Sequence, residues 1–167
     1  MTLAELNARD HRGFVLALEG VFENSPWVAE AAWARHPFAS FEALYRALVD
    51  AIRSAGVESQ LRLIRAHPEL SARAAARTLT ADSRAEQTGA RLDQCSPEEA
   101  ARLQELNRAY NARFGFPFVI AVKGLDAPAI LTRLAERLER DRVTEFEEAL
   151  QQIERIGWLR LEAKIEA

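Results

Sequence analysis

The chain has 167 residues, of which 49% are hydrophobic and 28% charged, with a formal net charge of -3. This length suits a single domain, 1–167, with a real hydrophobic core, and the 22 basic residues interspersed with 25 acidic ones exclude the clustered basic face of a nucleic-acid binder. The single cysteine, Cys95, excludes an intramolecular disulfide and a thiolate zinc site.

Only 7 Gly and 6 Pro interrupt a composition rich in Ala, Leu, Arg and Glu, which favours helices. Acidic Glu5 stands where an export signal would begin its basic and apolar stretch, and no apolar run approaches membrane-spanning length. A cytoplasmic location and no membrane partner are therefore expected.

Thr2-Leu3-Ala4-Glu5 has capping-box spacing, and a short helix is predicted after it. Asp10 can cap a second helix carrying Phe14, Val15 and Leu18, ending near Gly20. Ser25 is placed to cap a third, with Pro26 at its first position, Trp27, Val28, Ala31 and Ala32 on its faces, and His36-Pro37 at its end. Ser40 opens the next, where Phe41, Leu44, Leu48 and Ile52 share an apolar face that Gly56 closes.

The helix that follows stops on His67-Pro68-Glu69-Leu70, because proline disfavours helical conformation in the residue before it. His67 falls four residues after Leu63 and three after Ile64, on the apolar side and at the negative end of the helix dipole. The ordinary role for such a residue is to cap carbonyls or fill the core edge, and His36-Pro37 shows that the dipeptide alone carries no functional meaning.

Ser71 to Leu79 reads as a helix or an exposed connection. Ser83-Arg84-Ala85-Glu86-Gln87 again has capping-box spacing. Ser96-Pro97-Glu98-Glu99 is the clearest helix start in the chain, with Leu103, Leu106, Tyr110 and Phe114 on one side before Gly115. Phe116 to Gly124 is apolar, β-branched and bounded by Pro and Gly, so an extended insert is expected there. Its backbone N–H and C=O groups are satisfied either by neighbouring helices or water, or by a ligand.

Asp126 and Pro128 start another helix, with Ile130, Leu131, Leu134 and Leu138. The last begins between Asp141 and Thr144 with a stripe of Phe146, Leu150, Ile153 and Gly157, whose next member is Arg160. An arginine on such a stripe either snorkels at the helix end or meets a carboxylate. The expected fold is one compact all-α domain of about eight or nine helices with one short extended insert near 116–124.

No glycine-rich phosphate loop, paired-histidine metal motif or serine elbow is present, and three histidines, His11, His36 and His67, specify no metal site. His67, Ser83, Glu86, Gln87, Arg160 and the insert remain as polar groups at breaks or on apolar faces, suited to an acid/base pocket for an anionic substrate.

The ordered set His67-Pro68-Glu69-Leu70, Ser83-x-x-Glu86-Gln87, Phe114-Gly115-Phe116-Pro117-Phe118-Val119-Ile120-Ala121-Val122 and Arg160-Leu161 resembles the OHCU decarboxylases, and Gly20 to Trp27 extends the likeness. These enzymes convert 2-oxo-4-hydroxy-4-carboxy-5-ureidoimidazoline to (S)-allantoin in urate breakdown. The resemblance implies an all-α fold, a homodimer, and chemistry without metal or organic cofactor on that small ureidoimidazoline. It implies His67 as general acid/base, Glu86 as its acidic partner and Arg160 for an anionic part of the substrate. Pro68, Ser83, Gln87 and the backbone of Phe118, Val119, Ile120, Ala121 and Val122 would shape the substrate site.

Two features depart from the family pattern. Gly89-Ala90-Arg91-Leu92 places a bulky arginine where the family often has glycine, and Lys164-Ile165-Glu166-Ala167 lacks the peroxisomal Ser-Lys-Leu type of ending. The alternatives are the same pocket acting on another ureide or hydroxy acid, and a non-catalytic helical interaction module in which His67, Glu86 and Arg160 have only local roles.

Overall fold

A computed structural model describes residues 1–71, 81–90 and 92–166. Among them are nine α-helices, two short 3-10 turns and one isolated parallel bridge between Thr2 and Glu166, so the fold is all-α. No helix among the described residues is long and apolar enough to cross a membrane. The chain forms two compact units, Met1–Ala66 with Glu154–Ala167, and His67–Ile153.

The first unit contains α1 (Leu3–Asn7), α2 (His11–Ala17), α3 (Trp27–Ala32), α4 (Phe41–Ser54) and α5 (Gly56–Ala66). The capping box at Thr2 and Glu5 and the caps at Asp10 and Ser40 form as expected. Ser25 does not cap α3. Pro26 already has helical dihedrals and occupies the cap position, while the Ser25 hydroxyl donates to the Glu23 carbonyl.

His36 stacks on Trp33 with ring centroids 4.0 Å apart, and its Nε2 lies 3.0 Å from the Asn7 carbonyl. His11 meets the edge of the same Trp33. Both rings are thus committed to an aromatic cluster with Phe14 and Phe38. Asn7 closes that corner by donating to the Phe38 carbonyl and accepting from its N–H.

The second unit contains α6 (Ala81–Gly89), α7 (Pro97–Phe114) and α8 (Ala127–Leu138), and α9 (Arg142–Lys164) contributes residues to both units. α7 has the full capping box at Ser96 and Glu99, and left-handed Gly115 ends it. Asp126 caps α8, and Asp141 accepts from the Val143 and Thr144 N–H groups to start α9. The core gathers Leu103, Leu106, Tyr110, Phe114, Ile130, Leu134, Leu150 and Ile153, with Phe116 and Phe118 supplied from outside any helix.

The Ser83–Glu86 spacing has a different meaning from the one expected. α6 is already helical at Ala81, so Ser83 and Glu86 lie inside the helix rather than at its cap. Residues 72–80, which hold most of the Ala/Arg-rich run, and Arg91 lie outside the described residues.

Within the first unit, the last third of α9 packs Trp158 edge-on against Phe41 and Tyr45, and Glu154 pairs with Arg53. Gly157 lies so close to Phe22 that an added Cβ would sit 2.6 Å from two of its ring carbons. A buried ring has no room to retreat, so Gly157→Ala should destabilise by about 1–3 kcal/mol through overpacking, less up to about 1 kcal/mol of helix propensity. Chemical denaturation checks this: a midpoint at or above wild type would contradict the close packing.

Candidate active site

His67 follows α5 directly and is half-buried. Residues 67–71 leave helical geometry there, as the proline requires, and side-chain amides hold them. On α6, the buried Gln87 accepts from the Ser71 N–H at 3.3 Å and donates to the Glu69 carbonyl at 3.5 Å. On α7, Asn107 donates to the Leu70 carbonyl at 2.8 Å, and Asn111, one turn on, donates to the Glu69 carboxylate at 3.1 Å.

The Gln87 bonds set α6 alongside the stretch that His67 opens. Ser83 and Gln87, four residues apart, are both buried on one side of α6, and Glu86 is half-buried beside them. His67, Ser83 and Glu86 each make interactions of their own.

Between residues 69–71 and α7 lies a cavity of about 680 Å³, lined by Glu69, Leu70, Ser71, Asn107, Arg108 and Asn111 among others. Its described lining does not include His67 or Glu86. Burial pushes the Glu69 carboxyl up, while the bond from Asn111 opposes that rise.

A second non-helical segment of this unit is 117–122. The Val119 carbonyl oxygen accepts from a buried guanidinium: Arg137 Nη1 lies 2.7 Å away, with its guanidinium 4.5 Å above the Phe118 ring. Arg137 Nε donates to Glu145 at 2.9 Å, and Glu145 also accepts from the Tyr110 hydroxyl. Ala121 N–H donates to Gln152 Oε1 at 2.9 Å. Among the described residues, the N–H groups of Val119, Ile120 and Val122 have no hydrogen-bond partner. Within this segment the Val119 carbonyl and the Ala121 N–H are thus met by side chains of neighbouring helices.

Arg160 belongs to the first unit. It is 5% exposed and meets a carboxylate, with Nη1 2.7 Å from Glu23 Oε2 and 2.9 Å from the Gly20 carbonyl. Of the two expectations for an arginine on the α9 stripe, snorkelling is excluded. Among the described residues no cluster of three or more His, Cys, Asp or Glu side chains is placed to hold a metal.

Several of these groups had no local signal in the sequence. Glu23 lies within the Gly20–Trp27 stretch that carried the family likeness, but nothing local paired it with Arg160. Asn107 and Asn111 share a face of α7 at helical spacing, and Arg137 ends the apolar stripe of α8.

Comparison with known proteins decides what this arrangement belongs to. Residues 7–162 match the family model described as OHCU decarboxylase. The chain belongs to the OHCU decarboxylase family. Proteins named 2-oxo-4-hydroxy-4-carboxy-5-ureidoimidazoline decarboxylase are similar over most of their length. The one from Haloferax volcanii is 42% identical over 96% of this chain and 94% of its own. That from Halalkalicoccus jeotgali is 38% identical over 97% and 90%.

Among solved structures, an (S)-allantoin synthase superposes with a TM-score of 0.80 at 27% identity, covering 99% of this chain. This family member spans about half of that solved chain, 54%. An OHCU decarboxylase crystallised in the presence of (S)-allantoin gives a TM-score of 0.69 at 28% identity, over 86% of this chain and 93% of its own.

The tyrosines supply a test of the buried network. Burial, reinforced by the hydrogen bond to Glu145, raises the Tyr110 phenol far above its ordinary value of 10.0. Burial first and the Glu154 charge second raise Tyr45, the only other tyrosine. A phenol whose folded value is raised contributes stability that is complete below the ordinary value and is lost as pH climbs past it. In an alkaline titration, the ultraviolet tyrosinate band should therefore stay weak through about pH 10 and grow together with loss of helical circular dichroism. Tyrosinate forming at its usual pH in a fully helical protein would contradict the pairing.

Proposed function

We propose that this family member decarboxylates 2-oxo-4-hydroxy-4-carboxy-5-ureidoimidazoline to (S)-allantoin in urate breakdown, as a carboxy-lyase using neither metal nor organic cofactor. The observation that carries the reading is the family match over residues 7–162, joined to named decarboxylases aligned over nearly their whole length. In this reading the chain is one OHCU-decarboxylase-like domain over 1–167, a homodimer, and cytoplasmic. The continuity of the match across residues of both units supports the first of these.

Loss of CO2 leaves an electron pair on the ring carbon. That pair must be spread over the ring and then protonated on one face. With no organic electron sink, the protein contributes electrostatics and a positioned proton. His67 acts as general acid/base, a role suited to histidine, whose ordinary pKa lies near neutrality. Its selection is supported by the other two histidines, which are committed to the Trp33 cluster.

Glu86 serves as acidic partner, and Ser83, Gln87 and Pro68 shape the pocket. The place of Ser83 and Glu86 inside α6 supports this, because it removes the capping role that would otherwise account for them. The backbone of Phe118 to Val122 shapes the site, and N–H groups near Val119 hold the ring oxygens, a role supported by the unpartnered donors of Val119, Ile120 and Val122 among the described residues. Arg160 engages an anionic part of the substrate. A chiral, walled pocket then delivers the proton to one face, which water cannot do.

The deciding experiment generates the urate-derived intermediate in situ and follows optically active allantoin by circular dichroism. Wild-type protein should accelerate formation and give the (S) product. A racemic product formed no faster than without protein defeats the assignment. His67→Ala should lower turnover about 10²–10⁴-fold while shifting stability by no more than about 1 kcal/mol. A large stability loss with proportionate activity loss would instead make His67 structural.

Arg160→Lys removes the planar fork that reads a carboxylate, so KM should rise or kcat fall by at least about tenfold. Near-normal kinetics would remove Arg160 from the site.

A further inference from the structure

We infer that Arg137 is a positioning residue for this reaction: locked on the Val119 carbonyl, its guanidinium polarises peptide 119–120 and presents the Ile120 N–H as the donor for the substrate's developing oxyanion. The inference rests on the decarboxylase reading above and adds a residue and a donor to it.

The geometry begins with the single peptide unit that joins Val119 to Ile120. In a trans amide the C=O and the N–H point in opposite directions, and the one cis peptide bond of the described chain lies elsewhere, at His36-Pro37. Because the Val119 oxygen points at Arg137 Nη1, 2.7 Å away, the Ile120 N–H points away from it. That N–H is one of the donors without a partner among the described residues.

A cation bound at the oxygen draws electron density through the amide and leaves the opposite N–H more positive. Charge-assisted bonds are shorter and roughly twice as strong as neutral ones, and bonds in series polarise one another.

Arg137 is built for a fixed position rather than for contact with solvent. It is 3% exposed, its Nε is held by fully buried Glu145, and Phe118 lies under its plane. Tyr110 donates to the same Glu145 oxygen, so the carboxylate is shared and cannot follow a wandering guanidinium. Arg137 Nη2 has no hydrogen-bond partner among the described residues.

On the next peptide, Gln152 holds the Ala121 N–H at 2.9 Å, so the segment is pinned on both sides of Ile120. When CO2 departs, the electron pair spreads over the ring towards its 2-oxo oxygen, and a pre-aimed, polarised N–H stabilises that charge without reorganising.

The test uses the full chain with Arg137→Met and Arg137→Lys, assayed on intermediate generated in situ and normalised to folded protein by circular dichroism. Arg137→Met should lower kcat about 10- to 100-fold with KM changed less than about threefold, and Arg137→Lys should recover part of kcat by restoring a cation at the carbonyl. A residue that serves stability alone would reduce the folded fraction of both variants and leave kcat per folded molecule at the wild-type value; that result overturns the inference.

If Arg137→Met does not fold, wild-type ¹⁵N-labelled protein titrated with (S)-allantoin decides. A downfield shift of the Ile120 amide proton on binding supports the inference, and a bound state that leaves it unmoved overturns it. Failure of the wild type to make (S)-allantoin would strike the decarboxylase reading itself. An active wild type with a fully active Arg137→Met strikes only the role of Arg137.

Discussion

A helical protein that carries non-helical backbone in its interior has no sheet to absorb the exposed amides, and each unpaired group there costs on the order of 1–3 kcal/mol. Two such stretches of the second unit are 67–71 and 117–122, and side chains from its helices take over part of the pairing. Gln87 and Asn107 serve the first; Arg137 and Gln152 serve the second. Without them the backbone of residues 69–71 would have to re-solvate.

The charges follow the same logic. Arg137 and Glu145 are both buried, as are Arg160 and Glu23. A buried ion pair seldom stabilises a fold more than apolar packing would, because desolvation offsets most of the attraction. Its use is to hold a guanidinium at a set place and angle. Both pairs do this next to main-chain carbonyls, Val119 in one unit and Gly20 in the other. Each therefore organises irregular backbone rather than merely neutralising charge.

What could be read along the chain was what local chemistry dictates. Helix starts at Thr2, Asp10, Ser40, Ser96 and Asp126, and the stop at Gly115, depend on residues within four positions of one another. The stop at His67 depends only on Pro68. The spacing at Ser83 and Glu86 misled because serine and glutamate three apart also share a helix face in mid-helix, and the difference lies in whether the preceding residues are already helical. Ser25 was displaced by a neighbouring carbonyl.

Arg160 could be read as an arginine that needs either water or a carboxylate, but Glu23 lies 137 residues away and only folding selects it. The anchors Arg137 and Gln152 were hidden for the same reason. Each sits on an otherwise ordinary helix, and its partner is backbone, which has no sequence. Family likeness supplied the roles that local physics left open, and the ordered spacing of several weak motifs made that likeness specific.

The two anchors of segment 117–122 also have a mechanical meaning. Val119 is tied to α8 through Arg137, and Ala121 to α9 through Gln152, at points about 5 Å apart along the backbone. A segment suspended from two supports does not simply translate when one of them moves; it pivots about the other. A slip of about 1 Å between α8 and α9 would turn the intervening peptide by roughly 11°, on the spacing just given. Misplacements of that order are enough to cost a reaction up to about 10²-fold in rate. The register of these two helices is thus an adjusting screw for the direction of one N–H, and substitutions at their contact, however remote from substrate, act on that angle.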